Sequence, residues 1–416
     1  MIQENIPADA PAEVRTPTSG EAGTSLGRLT SVDVLRGLVM VIMALDHTRD
    51  FFSNSANLFD PTDLTHTSPM LFFTRWITHF CAPVFVFLAG SGAYLSLTRG
   101  KDVCELSKFL MTRGVWLIFL ELFVISPLGW SLSLSFAFTR LQVIWVIGVS
   151  MVILGGLIQL YPSRLIAGLG VAMILGHDLF DGPHAAWLGE AAGAWGIVHQ
   201  IQLFTLWRGH TVASLYPLIP WIGVMMAGYG FGELLAIQKA RRRRVVMLLG
   251  ASMTVGFVLI RAFNLYGDPS PWSFQDNPIY TVMSFLNCGK YPPSLLYVMM
   301  TLGPALLFLA FCETRTSRTW QYFQTFGRVP LFYYLLHLPL IHVMAVLFSL
   351  VTYGEASWLY RDLMNSRAVP SLPAGYGYGL PVVYGVWIAT VLMLYPLCQW
   401  FANVKKTRRE AVFSFL

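Results

Sequence analysis

About ten stretches of some 20 apolar residues leave this chain few folds to choose from, because each is long enough at 1.5 Å per residue to cross a hydrocarbon core of about 30 Å. They run over roughly 32–52, 76–98, 111–129, 141–160, 163–180, 214–237, 245–264, 293–312, 328–350 and 378–402. With 55% of residues hydrophobic and only 12% charged, against about 25% charged in soluble domains, the fold class is an all-α polytopic membrane protein. About ten transmembrane helices make up one membrane domain over 28–404. A polar tail over 1–27 precedes it and lacks the apolar core of a signal peptide; a basic tail over 405–416 follows.

The distribution of cations fixes the orientation. Counting loops from this set of spans puts 20 of the 28 lysines and arginines on one side, from Arg28 and Arg36 through Arg99 to Arg113, Lys239 to Arg244 and Arg328 to Lys405. Eight fall on the other, among them Arg49, Arg75, Arg261 and Lys290. Cytoplasmic loops carry the excess of Lys and Arg, so both termini are expected in the cytoplasm and the protein in the plasma (inner) membrane as a multi-pass chain. The net charge of +6 is spent in these short clusters, which excludes a nucleic-acid groove. Five cysteines, at 81, 104, 288, 312 and 398, include no CxxC pair, so neither a cysteine zinc site nor a disulfide framework is indicated, and no metal is expected.

The first span carries a polar stripe that lipid does not tolerate. At about 100° per residue, Arg36 and His47 project to nearly the same side of a helix, with Asp33 within about 60° of both. The two are roughly 16 Å apart along the axis. A charge facing lipid at that depth costs on the order of 2.5–3.5 kcal/mol, so the stripe is expected to face a protein interior or a wet cavity. The alternative has Asp33 and Arg36 anchoring one end of the helix while His47 and Arg49 snorkel at the other.

The ninth span holds two further histidines, His337 near mid-membrane and His342. Five residues apart, they are about 140° around a helix and do not form an i,i+4 metal pair. An interhelical hydrogen bond is the plainer role for His337. Pro339 leaves a carbonyl near Leu335 without its usual donor. Ala89-Gly90-Ser91-Gly92 in the second span and Ala227-Gly228-Tyr229-Gly230 in the sixth suit close helix packing, or else line a channel. The longer loops fall outside, over 49–75, 181–213, 265–292 and 351–377, and hold His66, His184, His199 and His210.

Three islands resemble a known family. Arg28-Leu-Thr-Ser-Val-Asp33-Val-Leu-Arg36-Gly37, Phe85-Val-Phe-Leu-Ala-Gly90 and the Gly327-to-His337 run are similar to the catalytic domain of heparan-alpha-glucosaminide N-acetyltransferase and its bacterial relatives. The first also resembles the acyltransferase-3 type of membrane O-acyltransferase, where an Asp-x-Leu-Arg element precedes a His at the far end of the first helix. The resemblance implies transfer of an acyl group from cytoplasmic acyl-CoA, acetyl-CoA in the first instance, to an extracytoplasmic sugar-like hydroxyl or amine, with a catalytic His near the outer side. The eukaryotic glucosaminide enzyme departs from this chain: its active His lies in the loop before the second helix, where His66 and His79 stand here.

Acyl transfer requires a base and an oxyanion stabiliser. His47 is the expected base, with Asp50 or Asp46 fixing its tautomer and His79 as a second imidazole that could meet it. Arg36, oriented by Asp33, is expected to hold the CoA diphosphate, with Arg28, Arg113 and His337 as further contributors to donor binding. Expected partners are acyl-CoA, the acceptor and the lipid bilayer, with a homodimer as an option. A proton-coupled transporter using Asp33, Arg36, His47 and His337 as a relay, or an inactive structural relative, are the other readings.

Overall fold

The structure, a computed structural model, describes residues 28–408 apart from 57, 135, 137, 182–186, 188, 190–191, 206–209, 315–316, 361–371 and 374. His184 and both outer tails, apart from the residues up to 408, lie outside the described residues. The chain is an all-α membrane protein. Among the described residues, nine helical segments are long and apolar enough to span a bilayer.

A tenth, α1 (Thr30–Phe52), is long enough but carries Asp33, Arg36, Asp46, Arg49 and Asp50. It escapes the lipid by position. It packs against α2 (Pro69–Thr78), α3 (Cys81–Leu97), α11 (Leu295–Cys312), α12 (Arg318–Arg328), α13 (Pro330–Tyr353) and α14 (Leu380–Thr407). Asp33, His47 and Arg49 are all buried there.

The remaining elements follow in order: α4 (Val103–Leu120), β1 (Phe138–Leu141), α5 (Val143–Leu160), α6 (Ser163–Gly176), α7 (Ala192–Val198), β2 (Gln202–Thr205), β3 (Thr211–Ser214), α8 (Leu218–Ala236), α9 (Lys239–Phe263) and α10 (Pro278–Leu286). The spans match the apolar runs closely, with three extensions. The second begins early, at Pro69, because Ser68 caps α2 by accepting the Leu71 N–H. The third continues from α4 into a π-helical segment, Glu121–Trp130, that contains Pro127. The last runs to Thr407, so Lys405 and Lys406 belong to α14.

Outside the bilayer helices lies a small sheet that the sequence analysis did not anticipate, in which β1 runs parallel to β3 and β3 antiparallel to β2. Its strands are only four residues long, too short for an alternation to register.

Two pairs of glycines let helices meet backbone to backbone. A Cβ on Gly37 would lie 1.7 Å from the Phe323 carbonyl oxygen, and one on Gly327 would lie 1.9 Å from that of Asp33, so α1 and α12 touch at the level of Asp33. Gly90 and Gly228 do the same for α3 and α8, at 2.0 Å from Met225 and 2.1 Å from Phe87. These glycines therefore serve close packing. Gly92, with open space beside it, faces a cavity instead.

Candidate functional site

That cavity, of about 710 Å³, lies between α1, α3, α4, α5, α13 and α14. Its mouth gathers the ends of helices that the charge count puts on one side: Arg28 and Arg36 from the start of α1, Arg99 after α3, Arg113 from α4, Arg328 at the end of α12, and Lys405 and Lys406 at the end of α14. Asp33 is the one acid among the lining residues. Its carboxylate accepts a 2.5 Å bond from Arg36 and a second bond pair from Arg28, so it aims both guanidinium groups. Burial and the neighbouring Arg28 charge push Arg99 below the usual arginine range. An anion brought to this mouth would relieve that crowding.

The rest of the lining is largely apolar, with Val32, Met40, Met43, Leu88, Val143 and Ile147, and it includes Tyr334 but neither His47 nor His337. His47 sits one turn beyond Met43 and is 8% exposed. Around it stand Trp130, edge-on at 5.0 Å between ring centroids, Tyr334 at 6.5 Å, and His337 at 5.2 Å. The π-helical segment supplies Trp130, whose other face is covered by the Arg140 guanidinium at 4.5 Å. That segment also holds Glu121, fully buried, with Oε2 accepting the Trp145 N–H at 3.2 Å.

Among the described residues, four buried polar atoms of this ring cluster have no hydrogen-bond partner: His47 Nδ1, Trp130 Nε1, the Tyr334 hydroxyl and His337 Nε2. Buried polar groups are satisfied in the great majority of cases, so a group of four on neighbouring rings calls for something to bind there. His337 Nδ1 lies 2.8 Å from the Tyr334 carbonyl, which can only accept. In the neutral ring the proton therefore sits on Nδ1 and Nε2 is bare.

Beyond His47 a chain of charges runs along the outer end of α1. Arg75 donates to both oxygens of Asp46, at 2.7 and 2.5 Å. Arg49 bridges Asp46 at 3.2 Å and Asp50 at 2.6 Å. Asp50 Oδ2 in turn lies 3.6 Å from His47 Nδ1, outside hydrogen-bonding geometry. Of the two carboxylates expected to orient His47, Asp50 stands nearer to it, and both are also engaged by Arg49.

The structure brings together Arg28, Asp33, Arg36 and Arg113 at the mouth, and His47 with Asp50 at the inner end. His337 is placed with His47 and not at the mouth, because α13 enters at Pro330 and reaches mid-bundle two turns later. His79 belongs elsewhere: its carbonyl accepts from the Tyr297 hydroxyl at 2.8 Å and its ring lies 5.3 Å from that of Tyr297. His66 is exposed in the loop before α2 and bonds Asp63 at 2.8 Å. That bond and two from Thr65 hold the Asp63 carboxyl down to about 2.

Sequence reasoning did not single out Trp130, Tyr334, Lys405 or Lys406. Tyr334 was within reach, three residues before His337 and so on the same helical face. Trp130 was not, because nothing in the sequence announces a π-helical turn.

A family model described as heparan-alpha-glucosaminide N-acetyltransferase, catalytic, matches residues 28–261. No curated protein matches the chain significantly.

Proposed function

Since the chain belongs to the heparan-alpha-glucosaminide N-acetyltransferase catalytic family, we propose that it takes an acyl group, acetyl in the first instance, from cytoplasmic acyl-CoA and delivers it to a sugar-like hydroxyl or amine on the far side of the membrane. One observation carries this reading: a cavity lined by seven cations reaches Tyr334, whose ring lies 6.5 Å from that of His47 and 5.2 Å from that of His337, two imidazoles that each have a buried nitrogen unpartnered among the described residues.

The cations suit the phosphates of CoA, with Arg36 and Arg28 pre-aimed by Asp33 and Arg113 opposite. The apolar stretch suits the pantetheine arm, and the roughly 16 Å from Arg36 to His47 is within its reach. At the inner end, His47 takes the proton from the acceptor O–H or N–H as the acceptor attacks the thioester carbonyl carbon. The Tyr334 hydroxyl, free of other partners, donates to the oxyanion that forms. The C–S bond then breaks and the CoA thiolate recovers the proton from His47. His337, through its bare Nε2, receives a second hydrogen of the acceptor and fixes its approach, and Asp50 steadies the His47 imidazolium.

The test is gradient-free. Protein purified in detergent is incubated with acetyl-CoA and a panel of amino sugars and sugar alcohols, and thiol release is followed. Acceptor-dependent release that disappears in His47→Ala supports the reading. Release that is unchanged in that variant rejects it, and activity seen only in sealed vesicles with an ion gradient favours the transporter.

A further inference from the structure

A second polar cluster lies at the opposite end of the bundle, and the acyl-transfer chemistry has no use for it. The helix α6 ends in a single 3-10 turn, His177–Phe180, followed by Asp181, and His199 follows α7. We propose that His177, Asp181 and His199 bind one divalent transition-metal ion of the zinc type, which fastens the segment after α7 to the end of α6.

Three observations meet here. One donor atom from each of the three residues lies within 4.8 Å of the other two. His177 and His199 are 1% and 0% exposed, yet among the described residues both ring nitrogens of His177 and Nδ1 of His199 lack a hydrogen-bond partner of good geometry. His199 Nε2 donates to the His177 carbonyl at 3.0 Å, which leaves its Nδ1 as the ligand atom, and buried imidazole nitrogens in this position are ill-satisfied unless a ligand completes them. The third is closeness in the chain: Asp181 directly follows the short turn that begins at His177, so both side chains are held at the same end of α6.

Two imidazoles and a carboxylate select zinc-like ions over calcium or magnesium, which prefer all-oxygen shells. Tetrahedral binding with bonds of about 2.0–2.1 Å needs donor atoms roughly 3.4 Å apart, so the cluster would contract by up to about 1.4 Å. Asp181, with its side chain 24% exposed at the end of the turn, has room to move. The surroundings already hold the ligands. Asp178 Oδ1 lies 3.3 Å from His177 Nε2, while its other oxygen accepts the Leu295 N–H at 3.2 Å. With a small rotation to bond Nε2, this carboxylate would orient the imidazole of a metal-bound histidine and leave Nδ1 for the metal. Trp195 stacks on His199 at 5.0 Å. None of these residues lines the acyl-CoA cavity, so this site and the catalytic reading stand or fall separately.

The full chain, purified without a histidine tag and stripped with a chelator, is titrated with Zn²⁺ and with Co²⁺ as a spectroscopic probe. About one equivalent is expected to bind, with the strong visible bands of four- or five-coordinate cobalt and a rise in melting temperature. His177→Ala/His199→Ala should lose the site, and Asp178→Asn should weaken it by about 10-fold. If the double variant does not fold, Asp181→Asn, which keeps both rings and changes a part-exposed group, provides the same comparison at weaker affinity. Equal metal uptake by wild type and variants, or cobalt spectra of an octahedral aqua ion, would overturn the proposal.

Discussion

The His47 and His337 rings stand 5.2 Å apart and tilted by 43°, one from the first long helix and one from the last but one. Neither faces lipid, and each has a buried nitrogen without a partner. Two imidazoles held this close can share a substrate hydrogen but cannot both carry a charge at low cost. One acting as base with the other neutral is the arrangement that the geometry favours.

His47→Ala is expected to lower transfer by about 10²–10⁴-fold, the usual contribution of a positioned base. Acyl-CoA binding, followed by equilibrium dialysis, should be unchanged. Adding His337→Ala should cost little more than the larger single loss, because the two act together on one bound acceptor.

The mouth should be separable from the chemistry. Arg36→Ala is expected to weaken acetyl-CoA binding by about 10–100-fold, the worth of a hydrogen bond to a charged group, with kcat little altered. Arg36→Lys should restore only part, since it loses the planar fork that Asp33 aims. Turnover of acetyl-pantetheine, which has no diphosphate, should not respond to either change.

Tyr334→Phe keeps the ring that closes the cavity and removes only its hydroxyl. Loss of one oxyanion donor predicts a fall in kcat of about 10²-fold with no change in KM for acetyl-CoA. A fall in KM-dependent binding instead would make Tyr334 a wall residue.

Gly327→Ala places a methyl group 1.9 Å from the Asp33 carbonyl oxygen, on rigid backbone. A loss of at least about 1–3 kcal/mol is expected, read as a lower melting temperature and less monodisperse protein on gel filtration. Gly92→Ala, with nothing within 4 Å, should fold normally.

The Asp63–His66 turn should respond to acid in one direction. Because the Asp63 carboxyl is held down to about 2, against 3.8 for an ordinary aspartate, its contribution is full above the ordinary value and is lost as pH falls towards 2. Pepsin should therefore cut the loop before α2 increasingly between about pH 4 and about pH 2, and Asp63→Asn should be cut already at the upper end.

The spans could be read from sequence because a bilayer permits only helices of one length class, and positive charges mark which ends lie together. The stripe on α1 could be read for the same reason: charge in lipid is costly, so Asp33, Arg36 and His47 had to point inward. What lay beyond reach was pairing. Periodicity places His337 at mid-membrane depth but says nothing of the helix it faces, so its position beside His47 came only with the packing of α13 on α1. Likewise α12, short and amphipathic between two spans, is positioned by the Gly37–Gly327 contact, and glycines that touch look no different in sequence from glycines that do not.

That contact has a consequence for biogenesis. Part of the cover for the polar stripe of α1 comes from α12, α13 and α14, which are made well after it, although Arg75 of α2 already pairs with Asp46. The insertion machinery has to shelter this segment, or tolerate it at the bilayer surface, through most of translation. A pause or truncation before α12 is made should therefore leave the stripe on α1 partly uncovered and the chain marked for degradation.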